Sequence, residues 1–183
     1  SEMYSGCTGI TDISGMTFGS GITNATDWCH KAITTANNVT IKNNLIKFTD
    51  CTTLTKCLNL DVRNVSDMAN FFSGCSSLTN ISLYPPNSTC DMTKLCYRCS
   101  SLINIEYLGS NKMKPRIVDY GFREIGSQFN YEFTSDKWDF SNCIRMDYMC
   151  YGTENVNINM RGANIIALTR LLQPFSYPTL VDF

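Results

Sequence analysis

The chain has 183 residues, 43% of them hydrophobic, enough for one sizeable core or one elongated repeat stack and with nothing that requires two domains. Fifteen basic and sixteen acidic side chains leave a net charge of −1, which argues against a nucleic-acid surface and against an acidic solvating tail. The longest apolar stretch, "ANIIALTRLL" at 163–172, is too short and too interrupted to span a bilayer, so direct membrane insertion is not expected.

In chain order, the start "SEMYSGC" lacks the basic-then-apolar pattern of a secretory signal, as a mature or excised fragment would. "YSGCTGITDI" at 4–13 anticipates a phrase that recurs downstream. "SGMTFGSG" at 14–21 is glycine-rich but lacks the Lys-Ser/Thr and the following helix of a phosphate loop, and reads as a turn. The single histidine, His30, adjoins Cys29, and adjacency in sequence does not build a nucleophile-base pair.

The phrase then appears three times: "KFTDCTTLTKCLN" at 47–59, "FFSGCSSLTNISL" at 71–83 and "LCYRCSSLINIEY" at 95–107. Cys51, Cys75 and Cys99 are 24 apart, as are Leu54, Leu78 and Leu102, and Cys57, Ile81 and Ile105. A repeat of this length cannot bury its apolar face alone and predicts a solenoid of stacked units. In each unit "LTNISL" (78–83) alternates as a strand does. "VSDMANFF" (65–72) places Val65, Met68, Phe71 and Phe72 at helical spacing behind Ser66 as an N-cap, and predicts one or two helical turns. "TCDMTKLC" (89–96) and "CIRMDYMC" (143–150) repeat that half, and "YPPN" (84–87) is a turn. Residues 109–128 read as an irregular insertion, after which Phe129 and Tyr131 resume the period. At 164–173 "NIIALTRLLQ" has the pattern of a capping helix. The chain begins partway through a unit and ends on "LVDF", an echo of the unit opening "WDF" at 138–140, so a longer protein is expected.

The fold class expected is therefore α/β: one domain, 1–183, a solenoid of short parallel strands and short helices with about 24 residues per irregular unit. "LDVRNVSDMANFFSGCSSLTNISL" (60–83) resembles the BspA-type leucine-rich repeat, and "WDFSNCIRMDYMC" (138–150) is similar to the start of another unit. The resemblance implies a leucine-rich-repeat solenoid from a surface or extracellular protein, or one encoded by a phage, used in adhesion or protein binding.

The ten cysteines fit packing positions of the repeat, and Cys96-x-x-Cys99 has neither a second pair nor a nearby histidine to complete a zinc set, so no metal or cofactor is expected. Cys51, Cys75 and Cys99 are expected buried, reduced and stacked. Five Asn-x-Ser/Thr triplets (Asn24, Asn38, Asn64, Asn80, Asn87) leave localisation open.

No convergent acid-base pair supports an enzyme; Asp119 and Glu124 lie in the insertion with no sign that they meet. The favoured reading is a non-enzymatic binding module. Its contacts would come from the outward strand positions Lys56, Asn80, Ser82, Asn104, Glu106, Asn130, Glu132, Asn157 and Asn159, which form a polar face for a protein or glycan. The cationic run Lys112, Lys114 and Arg116, with Tyr120 and Phe122 behind it, is a second candidate if the insertion projects; otherwise Tyr120 and Phe122 fill the core. The alternative is an architectural piece of a larger assembly, such as a virion or surface layer, with other subunits as partners.

Overall fold

The computed structural model of the chain describes residues 9–25, 32–159 and 181–182. The readings made for His30, Cys29 and the 164–173 segment lie outside these residues. Among the described residues ten short strands follow one another: β1 Thr17–Phe18, β2 Thr40–Ile41, β3 Lys56–Asp61, β4 Asn80–Tyr84, β5 Cys90–Asp91, β6 Asn104–Tyr107, β7 Pro115–Ile117, β8 Tyr131–Phe133, β9 Val156–Asn159 and β10 Val181–Asp182. All pairings are parallel, in a five-stranded sheet β1-β2-β3-β4-β6, a three-stranded sheet β10-β9-β8 and a two-stranded sheet β5-β7. Each strand pairs with its counterpart one coil away, which makes a β-solenoid.

The 24-residue period is the register itself. Asn80 pairs with Asn104 and Ile81 with Ile105, while Lys56 pairs with Asn80 and Cys57 with Ile81. The repeated apolar columns point inward: Leu54, Leu78 and Leu102 are fully buried, and so are Cys51, Cys75 and Cys99. One slip interrupts the match, because β3 carries an extra residue between Cys57 and Leu60. Asn59 takes up the bulge at φ 55°, and its N–H donates to Ser82 Oγ at 2.8 Å.

The expected short helices are absent: no described residue is helical. Residues 68–78 instead form three consecutive β-turns, closed by Phe71 N–H to Met68 O, Cys75 N–H to Phe72 O and Leu78 N–H to Cys75 O, each at 3.1 Å. Left-handed residues sit third in the first two turns, Asn70 at φ 59° and Gly74 at φ 77°, and a left-handed residue cannot continue a right-handed helix. The N–H groups between these bonds donate to the next coil: Met68 to Asp91 O, Asn70 to Thr93 O, Phe72 to Leu95 O and Gly74 to Tyr97 O. Alternation between turn and neighbouring coil thus satisfies the backbone without a helix. The turn corners Met68, Phe71, Phe72, Cys75 and Leu78 are all buried. Their spacing of three to four residues imitates a helix in the sequence.

Residues 109–128 are a coil, not a projecting insertion. β7 pairs with β5, Met113 bridges Trp138, and Val118, Phe122 and Ile125 are buried. The coil is longer than those before it: Cys96 N–H reaches Gly121 O, 25 positions on, where Phe72 N–H reaches Leu95 O, 23 positions on. Aromatic rings fill the added girth, with Phe122, Phe133 and Trp138 packed edge-on or tilted at 4.9–5.6 Å between centroids.

The thiol column holds in burial but not wholly in redox state. Cys75 and Cys99 are free, whereas Cys51 is disulfide-bonded.

Candidate functional site

The strand face is polar for most of its length. Lys56, Asn104, Glu106, Asn130, Glu132 and Asn157 are exposed and Asn80 is half-buried. Ser82 departs from the expectation: it is 4% exposed, because its hydroxyl serves the β3 bulge and not solvent. Of Asn159 only the backbone, in β9, is described.

The face is not continuous. β6 ends one sheet and β8 another, with no pairing between them. In the gap lies a cavity of about 450 Å³ lined by Asn104, Ile105, Glu106, Tyr107, Tyr131, Glu132 and Lys137. Rings beneath hold the strands apart: Tyr107 meets Trp138 edge-on at 5.5 Å and Tyr131 at 6.4 Å. The Tyr107 hydroxyl is buried with no hydrogen-bond partner among the described residues, whereas Tyr131 Oη accepts Trp138 Nε1–H at 3.3 Å. Burial pushes the Tyr131 phenol up to about 12. The wall groups are therefore neutral donors and acceptors near Glu106, Glu132 and Lys137, a lining suited to a polar ligand or an extended backbone.

The second candidate lies within a coil of the solenoid and does not project from it. Lys112 and Lys114 are half-buried and Arg116 exposed. Asp139 is held low first by the Ser141 hydroxyl, with Lys112 and Lys114 adding to the effect, so part of that charge is already answered. Phe122 is in the core, while Tyr120 stands on another corner, stacked on Tyr148 at 5.3 Å. Asp119 and Glu124 do not converge: Asp119 is buried and paired with Arg145, and Glu124 is paired with Arg98 and Arg123.

The corner that carries Tyr120 was not anticipated. Aligned by their inter-coil hydrogen bonds, Asn70, Lys94, Tyr120 and Tyr148 share one turn position; Gly74, Arg98, Glu124 and Gly152 share another; Ser73, Tyr97, Arg123 and Tyr151 share the one between. Three successive coils thus place tyrosines, two arginines and a lysine on one ridge. Arg98 Nε donates to Glu124 Oε2 and Arg123 Nε to Glu124 Oε1, each at 2.8 Å, and Arg98 foremost holds that carboxyl below its ordinary range. The signal was present in the repeat: a unit with Asn70 and Gly74 at its left-handed positions is followed by units with Lys94, Arg98, Tyr120 and Tyr148 there.

Comparison with known proteins gives one match. The family model described as "Mycoplasma protein of unknown function, DUF285" matches residues 11–115 and 117–179. No curated protein and no solved structure matches the chain.

Proposed function

The chain belongs to the family described as Mycoplasma protein of unknown function, DUF285, and from that membership and the split strand face we propose that it is a non-enzymatic binding or adhesion module for a protein or glycan. The observation that carries this is the polar cavity between β6 and β8, where the coil stack opens and Asn104, Glu106, Glu132 and Lys137 line the gap. A parallel solenoid suits such a role, since it repeats one surface position about every 4.8 Å on a scaffold braced by its neighbours. We read the repeat as of the BspA type, which fits display at a cell surface. The architectural alternative gains little: the exposed large apolar side chains among the described residues, Leu45, Ile103 and Tyr151, lie on three different coils.

The test is a glycan and peptide array probed with the chain, followed by titration of any bound probe against an Asn104→Ala/Glu106→Ala/Glu132→Ala variant. Loss of about tenfold in affinity with the fold intact is the expected result. An array with no bound probe, or a variant that binds as well as the parent, would remove the strand face as a site.

A further inference from the structure

On the turn ridge, five non-glycine residues adopt the left-handed backbone: Lys94 at φ 55°, Arg98 at 58°, Tyr120 at 55°, Glu124 at 57° and Tyr148 at 54°. Only glycine, and to a lesser degree asparagine and aspartate, enters this region at low cost. The coil before uses Asn70 and Gly74 at the same two positions, so the fold itself is served by the cheaper residues. Retaining long and aromatic side chains there, in three consecutive coils, points to a use for the side chains.

Their arrangement narrows the use. Lys94 Nζ lies 5.6 Å from the Tyr97 ring centre and 6.0 Å from that of Tyr120. Arg98 lies over Tyr97 at 4.9 Å, and Arg123 over Tyr120, Tyr148 and Tyr151 at 5.4, 5.9 and 5.1 Å. Cation–π contact fixes these cations before any partner arrives, which lowers the ordering cost of binding. It also occupies ring faces, as does the Tyr120–Tyr148 stack, and a sugar ring would need those faces free. What the ridge offers outward is cationic charge together with tyrosine edges. Three cations stand against one carboxylate, Glu124, which already serves both arginines; Lys94 has no carboxylate within ion-pair distance among the described residues.

We propose that this ridge, Lys94 to Tyr151, is a docking surface for an acidic stretch of a partner protein. Tyrosine and arginine dominate binding energy at protein interfaces, and the partner's carboxylates supply the charge that the ridge lacks. The surface is separate from the polar strand face and does not depend on it.

The experiment is fluorescence anisotropy of the whole chain with a labelled Asp/Glu-rich peptide of roughly ten residues, long enough when extended to cross three coils. A matched Asn/Gln peptide and heparin serve as comparators. The acidic peptide should bind, more weakly as salt rises, and at least about tenfold better than the neutral one. Lys94→Asn/Arg98→Asn should lose about tenfold in affinity with the fold intact by circular dichroism, while Lys94→Asn alone, which breaks no ion pair, should lose at least about threefold and leave Tm unchanged or raised. Removing two cations elsewhere, in Lys42→Asn/Arg63→Asn, should leave affinity within about twofold. No binding of the acidic peptide, equal binding of the neutral one, or an unchanged affinity in the ridge variant would overturn the proposal. So would equal loss in the control variant, or tighter binding to heparin with the same sensitivity.

Discussion

Cys75 Sγ donates a hydrogen bond to the Phe48 carbonyl oxygen, 27 residues earlier in the chain and 2.9 Å away. Cys99 repeats the bond to Phe72 O at 3.1 Å, and the Thr153 hydroxyl makes the same contact with Phe122 O two coils later. At the intervening position stands Ile125, which has no such donor; its backbone N–H instead donates to Thr153 Oγ1. The cysteines are thus more than small apolar fillers: the column joins coils through buried donors, and a hydroxyl can stand in for a thiol.

The free thiols should accordingly be inert in the folded protein. Burial pushes Cys57, Cys75 and Cys150 well up from their ordinary value, Cys90 to about 12 and Cys143 to about 11. A thiol raised on folding stabilises the native state fully below the unfolded pKa, and this contribution is lost as pH rises from there toward the folded value. Stability should therefore fall above about pH 9. Alkylation at pH 8 should miss Cys75 and Cys99 until denaturant is added, and a non-reducing peptide map should recover Cys51 cross-linked. Rapid native labelling of Cys75 or Cys99 would contradict the column.

How much of this was legible depended on the kind of information. Register was, because Cys57, Ile81 and Ile105 can only recur at 24 residues if identical units stack side by side. The turn half was not, because Met68, Phe72, Cys75 and Leu78 have nearly the spacing of a helix face, and only the sign of φ at Asn70 and Gly74 separates the two. On the strand face, alternation placed Asn104 and Glu106 correctly but not Ser82, whose burial follows from a bulge in the neighbouring strand. The ridge was hidden for a related reason: Tyr97, Arg123 and Tyr151 align only after coils of 24, 26 and 28 residues are set against each other by their hydrogen bonds.

Phe72 is fully buried, stacked on Phe48 at 5.6 Å and meeting Phe71 edge-on at 4.9 Å. Its ring bridges two coils where the turns meet the core. Phe72→Ala should cost about 3–5 kcal/mol in chemical denaturation. A loss below about 1 kcal/mol would show that the coils are not in the phase described.

Gly126 is constrained by its neighbour and not by its own φ. A Cβ there would lie 1.9 Å from the Ser100 backbone oxygen, which belongs to the preceding coil and has no side-chain freedom with which to yield. Gly126→Ala should destabilise by about 1–3 kcal/mol through overpacking. Gly19→Ala, with nothing within 4 Å of the added atom, is expected to stay within about 0.5 kcal/mol of the parent. Equal effects at the two sites would mean that the coils do not approach as closely as Gly126 requires.

Glu124 ties two coils together by accepting from Arg98 at 2.8 Å and from Arg123 at 2.8 Å, the first of which does most to hold its carboxyl below the ordinary value of 4.5. Both ion pairs are partly in water, so their worth is modest and screened by salt. A depressed carboxylate contributes stability that is present above the unfolded pKa and is lost as pH falls through the folded one. Glu124→Gln should therefore melt about 1–4 °C below the parent at neutral pH and low salt, given ~2–4 °C per kcal/mol for a chain of this size. The gap should be constant above about pH 5, narrow as pH drops below the ordinary value, and close once both states are protonated. The ridge gives the opposite sign for binding: removing the carboxylate frees Arg98 and Arg123, so the same variant should hold an acidic peptide more tightly at neutral pH. A Tm gap independent of pH would assign the effect to packing, and weaker peptide binding would show that Glu124 positions the arginines and does not compete for them.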